Sequence, residues 1–192
     1  TIKYNTSGAV QWTATYNSPL GNFSDEPVDL VIDALNNIYV TGFSNYTANT
    51  SRDFLTIKYD PSGNVVWESN YTNTAFVSDD YPIDMVVDNA GNVYVTGSSI
   101  GLGTGQDILT IKINNSGQLV WEARVDSVNF SDFPLGMGLS PAQDAVYIGG
   151  YITTGTNTFS DIDWIALRYD TSGTELNRII IDGPGNDFDI GH

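Results

Sequence analysis

Apolar and polar residues alternate along this chain in short runs with a period of two. In Phe54-Leu55-Thr56-Ile57-Lys58-Tyr59, Leu55, Ile57 and Tyr59 share one side while Phe54 and Thr56 share the other. The runs 83–88, 93–99, 107–113 and 119–125 are of the same kind, rich in Val, Ile, Thr, Tyr and Trp. Such residues suit a pleated surface covered on both sides. Between the runs stand Asn89-Ala90-Gly91-Asn92 and Asn114-Asn115-Ser116-Gly117. Gly and Asn tolerate the positive φ of tight hairpins, so these are turns. No helical period extends over any length, and strands are predicted throughout.

The runs recur. FLTIKYDPSGNVVW at 54–67 has relatives at 1–12, 109–121 and 165–177, with turn glycines Gly8, Gly63, Gly117 and Gly173 spaced 55, 54 and 56 apart. Trp12, Trp67 and Trp121 keep the same step, and the fourth copy places Asn177 there. A second ladder is formed by 36–44, 91–99 and 144–152, and a third by 27–33, 82–88 and 134–140. Each unit therefore holds four strand patterns in about 55 residues, which is the length of one propeller blade. The predicted fold is all-β: a β-propeller of four-stranded antiparallel blades, the chain covering about three and a half blades of a larger one. Strands 3 and 4 of a blade fall at 1–17, complete blades at 27–71, 82–125 and 134–181, and the first strand of a further blade at 186–192. The remaining blades are expected from the same polypeptide or from another copy.

Composition narrows the function. Seven Lys and Arg against 23 Asp and Glu give a formal charge of −16, a field that repels nucleic acids and anionic lipid surfaces. No apolar run is long enough for a membrane helix, so membrane insertion is not expected. The absence of Cys removes disulfides and thiolate metal sites.

The combination D-x-x-G-N-V-Y-V-T-G followed by D-x-x-x-x-K-Y-x-x-x-G-x-x-x-W resembles the bacterial and archaeal SBBP repeat, named for seven-bladed β-propellers. The resemblance extends over essentially the whole chain. It implies a surface or secreted setting and no catalytic residues. The third repeat departs from it at Gly136 and Ser140, where the other copies have Asp.

Several residues are candidates for more than scaffold. Lys3, Lys58, Lys112 and Arg168 occupy one slot of all four units. A cation placed so regularly in an acidic chain is expected to meet a regular anion. The candidate partners are Asp25, Asp79, Asp132 and Asp187 of the crossover loops, or Asp53, Asp107 and Asp163 at the start of the third strands. Asp29, Asp84 and Asp189 lie on first strands, which line the channel of a propeller, and a ring of carboxylate oxygens there would suit Ca²⁺. Beyond that possible Ca²⁺, no cofactor is expected. DPSGN at 60–64 and DNAGN at 88–92 lack the full spacing of a calcium loop and read as side-chain-capped turns. The register of Trp12, Trp67 and Trp121 points to packing between blades, whereas Trp164 falls outside it. The single histidine, His192, leaves no Ser-His or multi-His machinery in the chain. Seven N-x-S/T sequons, at Asn5, Asn22, Asn45, Asn49, Asn70, Asn114 and Asn129, are glycosylation candidates. The expected function is a non-enzymatic extracellular module with a structural, adhesive or protein-binding role, with protein or glycan partners at a prokaryotic cell surface. The alternative is part of a propeller enzyme, of hydrolase or lyase type, completed by blades outside the chain.

Overall fold

A computed structural model describes residues 1–19, 21, 24–45, 51–73, 79–101, 105–127, 130–154 and 162–182. All regular structure among them is strand, in one two-stranded and three four-stranded antiparallel sheets. The leading pair is β1 (Ile2–Tyr4) with β2 (Val10–Thr13). Blade 1 holds β3 (Glu26–Ile32), β4 (Ile38–Ser44), β5 (Asp53–Tyr59) and β6 (Val65–Tyr71). Blade 2 holds β7 (Asp80–Val87), β8 (Val93–Ile100), β9 (Gln106–Ile113) and β10 (Leu119–Val125). Blade 3 holds β11 (Phe133–Leu139), β12 (Ala145–Thr153), β13 (Ile162–Asp170) and β14 (Glu175–Ile181).

Every blade pairs its strands in chain order, as short hairpin turns require. The first strands of successive blades lie beside one another, β3 against β7 and β7 against β11. The sheets thus stack face to face around an inner edge, as propeller blades do, and do not close into a ring among the described residues.

Burial follows from the stacking. The middle strands β4, β5, β8 and β9 are almost wholly buried, because both of their sides meet a neighbouring sheet. One core lies between the outgoing side of blade 1 (Tyr39, Phe54, Tyr71) and the incoming side of blade 2 (Met85, Val95, Leu109, Ile111). A second joins Tyr94, Ile108 and Val125 of blade 2 to Val146, Ile148, Ile165 and Leu167 of blade 3. The third packs Trp12, Ala14 and Tyr16 on Ile38, Leu55, Ile57 and Tyr59. The period-two alternation of a single strand therefore sorts residues between two cores, one on each side of the blade.

Each first strand carries a bulge at the same place. Pairing slips between Pro27 and Asp29, between Pro82 and Asp84, and between Pro134 and Gly136. Proline has no N–H to lose from the ladder, so a bulge next to it costs little. The bulged strand crosses close over the second strand, and that explains the glycine of the Val-Thr-Gly motif. A β-carbon at Gly42 or Gly97 would lie 2.1 Å from the carbonyl oxygen of Glu26 or Tyr81, and one at Gly150 would lie 2.4 Å from that of Phe133. Gly97→Ala is therefore expected to lower unfolding free energy by about 3 kcal/mol, because backbone must move to make room. Gly138→Ala, with nothing within 4 Å of its β-carbon, is expected to change it by less than about 0.5 kcal/mol. Denaturant melts of the two variants check the contrast.

Candidate functional site

The residues that the repeat holds in register meet at the seams between blades. Three contacts recur there, at the outer edge, in the middle and at the inner edge, the first two sharing one acceptor carbonyl at two of the seams.

At the outer edge, each tryptophan lies on the turn glycine of the next sheet. The turn is pre-shaped by its own side chain: Asp60 Oδ1 accepts from the N–H of Ser62 (2.8 Å) and of Asn64 (2.9 Å), and Gly63 follows with φ of +87°. Gly117 and Gly173 have φ of +82° and +89°. A β-carbon at Gly63, Gly117 or Gly173 would stand 2.6, 2.9 or 2.8 Å from the ring of Trp12, Trp67 or Trp121. Glycine is thus required twice, by backbone conformation and by the indole resting on it. The indole Nε1–H donates to the carbonyl two residues before that glycine: Pro61 (3.1 Å), Asn115 (3.0 Å) and Thr171 (3.2 Å). Tyr59 and Tyr169 of the receiving sheets flank Trp12 and Trp121 with ring centroids 6.2 and 6.1 Å away.

In the middle of each seam lies the lysine slot, and here the expected ion pairing is corrected. Lys3 Nζ donates to the Pro61 carbonyl at 3.0 Å and Lys112 Nζ to the Thr171 carbonyl at 2.7 Å, while Lys58 Nζ bonds the side-chain oxygen of Asn115. Lys58 and Lys112 also sit 5.1 Å above the rings of Tyr39 and Tyr94, and Arg168 sits 5.6 Å above Tyr147. The salt bridges among the described residues are Arg52–Asp79, Arg124–Asp107 and Arg178–Glu175, none of which uses the slot. The reason is strand length. Asp53 opens β5 and Lys58 nearly closes it, so five residues at about 3.3 Å each hold them at opposite ends of the blade. Burial pushes the Lys58 ammonium below its usual pKa, with the charge of Asp33 pulling the other way. Ring faces and carbonyl dipoles then supply what the absent carboxylate does not.

At the inner edge, the aspartates expected to ring a Ca²⁺ are engaged otherwise. Asp29 Oδ2 accepts from the N–H of Met85 (3.1 Å) and Asp84 Oδ2 from that of Met137 (2.7 Å), each in the next blade. Their other oxygens accept from Leu30 (2.7 Å) and Met85 (2.8 Å). Both oxygens of Asp29 and of Asp84 therefore accept from backbone donors, while Asp189, the third member of the expected ring, lies outside the described residues. Gly136 leaves this clamp without an acceptor side chain in blade 3, and its β-carbon position is 3.3 Å from Asp84 Oδ2.

The crossover aspartates have a different task. Asp25 accepts from the Ser18 N–H (2.9 Å) and the Ser44 hydroxyl (2.6 Å), while Asp132 accepts from the N–H groups of Ser127 (2.8 Å) and Thr153 (2.9 Å). The residue of blade 2 in this slot is Asp80, paired in register with Ser99, and not the Asp79 expected from the sequence. Asp79 is part-exposed and bonds the Tyr81 hydroxyl and the Arg52 N–H. Arg52 itself lies between the rings of Phe43 (5.0 Å) and Tyr81 (5.2 Å), a seam contact with no counterpart in the other repeats and so no periodic signal to reveal it. Burial, with Asp53 adding to it, pushes the Asp80 carboxyl up to about 6 against the pull of Ser99, Arg124 and the Asn73 N–H. Burial likewise raises Asp132, opposed by its bonds to Ser127 and Thr153.

Three carboxylates, of Asp107, Asp126 and Asp132, offer oxygens within 4.8 Å of one another at the seam of blades 2 and 3. They are the described group that would suit a cation, but Arg124 stands 3.0 Å from Asp107 and already brings a positive charge there. Asp163 accepts from the Thr154 hydroxyl. Of the sequons, Asn5 and Asn114 lie on turns, with Asn5 exposed. Asn45 is 7% exposed and its amide nitrogen donates inward to the Ser51 carbonyl at 3.1 Å. The Asn70 amide nitrogen is also buried, so neither presents its amide for a glycan in the folded chain, which corrects that expectation. Asn22, Asn49, Asn129, Asp187, Asp189 and His192 lie outside the described residues. Trp164 is 42% exposed on the outgoing side of blade 3.

Two measurements check these assignments. Asp84→Ala leaves the Met137 N–H without its carboxylate acceptor, while the Met85 N–H keeps Asp29, and is expected to cost about 2 kcal/mol, whereas adding Ca²⁺ or a chelator to the parent is expected to leave its melt unchanged. Asp80 has a folded pKa above its unfolded value, so the native state holds the extra proton. Its contribution to stability is present below about pH 4 and is lost as pH rises to about 6. Asp80→Asn is therefore expected to melt a few degrees above the parent at pH 7, with the gap closing toward pH 4.

Residues 74–103, a stretch containing β7 and β8, match the family model SBBP, described as a beta-propeller repeat. No curated protein matches the chain. The matched stretch contains the buried Asp80, the clamp residue Asp84, the capped turn at Asp88 and Gly97 beneath the bulge. The chain thus carries a beta-propeller repeat of the SBBP type, and its three complete sheets are blades built on one plan.

Proposed function

We propose that the chain is a non-enzymatic propeller module that works at the outer surface of a prokaryotic cell, in a structural, adhesive or protein-binding role. The observation that carries this reading is where the repeated polar residues go. Lys3, Lys58 and Lys112, the three register tryptophans, and Asp29 and Asp84 are all engaged in bonds from one blade to the next. What is repeated is therefore assembly chemistry, and binding is left to surfaces that vary. The net charge of −16 suits a soluble exterior that does not associate with anionic lipid or nucleic acid. Exposed Asn5 offers a sequon on a turn, although its side-chain oxygen also caps that turn through Ser7 and Ala9.

One feature favours the second reading, a propeller enzyme completed by other blades. On the outgoing side of blade 3 the hydrogen-bonded Thr41–Thr56 and Thr96–Thr110 pairs are replaced by Gly149 and Ala166, and the aspartate by Gly136. This side exposes Tyr147 and Trp164 next to Arg168. Propellers host both binding and catalysis, so fold does not separate the two.

The surface role is tested with an antibody against this chain on intact and lysed cells of the source organism. Labelling of intact cells that is removed by brief external protease is the expected outcome. Labelling that appears only after lysis refutes the exterior role.

A further inference from the structure

The turns that join first to second strands are built alike in the three blades, yet a side chain bridges one seam and is missing from the other. Asp33, Asp88 and Ser140 cap these turns with a side-chain oxygen. The positive-φ residues Asn36, Gly91 and Gln143 donate their N–H groups to the carbonyls of those capping residues at 2.9, 2.9 and 2.8 Å. Between blades 2 and 3, Gln143 reaches back across the seam. Its side-chain oxygen accepts from the N–H of Asn89, the residue after the cap, at 2.7 Å. Between blades 1 and 2 the residue in the place of Gln143 is Gly91, which has no side chain, and the place of Asn89 is held by Ala34. The Ala34 N–H has no acceptor among the described residues.

Between these two turns lies a cleft of about 200 Å³, whose walls all belong to blades 1 and 2. Ala34, Gly91 and Asn115 line it together with its charged residues, Asp33, Lys58 and Asp88. Lys58 is buried, and its ammonium has one hydrogen-bond acceptor among the described residues, the side-chain oxygen of Asn115, for three N–H groups. The two aspartates are spent on their own turns. Each accepts from two backbone N–H groups, an asparagine amide and a tyrosine hydroxyl. A carboxylate has about four acceptor sites, so neither has one left for a cation. An anion would add to two carboxylates that face a single ammonium. A neutral group that carries both an acceptor oxygen and N–H donors suits the cleft.

We propose that this cleft is a binding site for a primary carboxamide, the head group of a glutamine or asparagine side chain. The next seam shows the mode of recognition, because there the chain supplies the carboxamide itself through Gln143. The oxygen of the bound amide takes the Ala34 N–H as Gln143 Oε1 takes that of Asn89, and Lys58 is the second donor lining the cleft. The volume is below the roughly 300 Å³ at which pockets for drug-sized molecules begin, so the occupant is a side-chain head or a free amide of that size. Gly91 is what keeps the cleft open, since a glutamine in its place would fill it from within. The site depends on the geometry of one seam and not on a cell-surface role, so either can fail without the other.

Propionamide and propionate, which share a shape and differ in charge, are titrated into the full chain and followed by proton–nitrogen correlation spectra. Propionamide is expected to shift the Ala34 and Gly91 amide signals saturably, and propionate to bind about tenfold more weakly or less. Ala34→Pro removes the N–H in question. Proline suits this turn position and already holds it as Pro61 and Pro141, so the variant is expected to melt as the parent does. Its affinity for propionamide, read at Gly91, is expected to fall about tenfold, the loss of one hydrogen bond. A capped peptide with one internal glutamine separates the carriers, and both of its outcomes uphold the site: tighter binding than propionamide assigns a partner polypeptide, equal binding a free amide. The parent titrations stand whether or not the variant folds. No saturable shift at Ala34, propionate binding as well as propionamide, or a folded Ala34→Pro that binds as the parent does, overturns the proposal.

Discussion

The arrangement of this protein depends on an indole lying flat on a glycine in a left-handed turn. A ring can approach a backbone that closely only where no β-carbon intervenes. Only glycine both adopts that φ without strain and leaves the space. One contact thus fixes the turn type of one sheet and the outer edge of its neighbour. It also sets the distance between the two, because the Nε1–H must reach a carbonyl two residues before the glycine. The same pair recurs at three seams at nearly one geometry. The spacing of 54 to 56 residues in the sequence is the record of that constraint.

The inner edge solves a different problem. Close to the centre, first strands lie beside one another, and the bulges next to Pro27 and Pro82 are followed by a carboxylate bonded to the neighbouring backbone. Asp29 and Asp84 then cap N–H groups of the next blade, much as an aspartate caps a helix. Charge is tolerated there because each oxygen has a donor. The lysines are handled by the opposite device. An ammonium with little access to water, 6% exposed at Lys58 and 9% at Lys112, lies on a tyrosine face and against polar oxygens of the next turn. A cation and an anion that both recur in every repeat need not be partners. In a blade they can be assigned to opposite ends of the strands.

This explains which expectations held and which did not. The strand content, the four-strand unit and the face-sharing alternation follow from period-two patterning and turn glycines, which are local properties. Asp80 could have been found by the same means: Asp25-Glu26-Pro27, Asp80-Tyr81-Pro82 and Asp132-Phe133-Pro134 share the spacing to proline, and Asp79 does not. The distance between Asp53 and Lys58 could also have been counted along the strand. Arg52 between Phe43 and Tyr81 was beyond reach, because it occurs once and its partners come from two blades. The inward-turned amides of Asn45 and Asn70 were hidden for a similar reason, since a sequon records composition and says nothing of which way a side chain faces.

The sequence by itself determined the unit, its repeat length, its strand order and the residues that recur at each seam, because backbone propensity, side-chain alternation and turn chemistry act over a few neighbouring residues. Only the tertiary structure decided what those residues bind. A carboxylate finds a backbone N–H, a lysine a tyrosine face and a tryptophan a glycine in another sheet some fifty residues away. Partners across a seam are chosen by where stacking places them, and the period of a sequence states how often a contact recurs without stating with what.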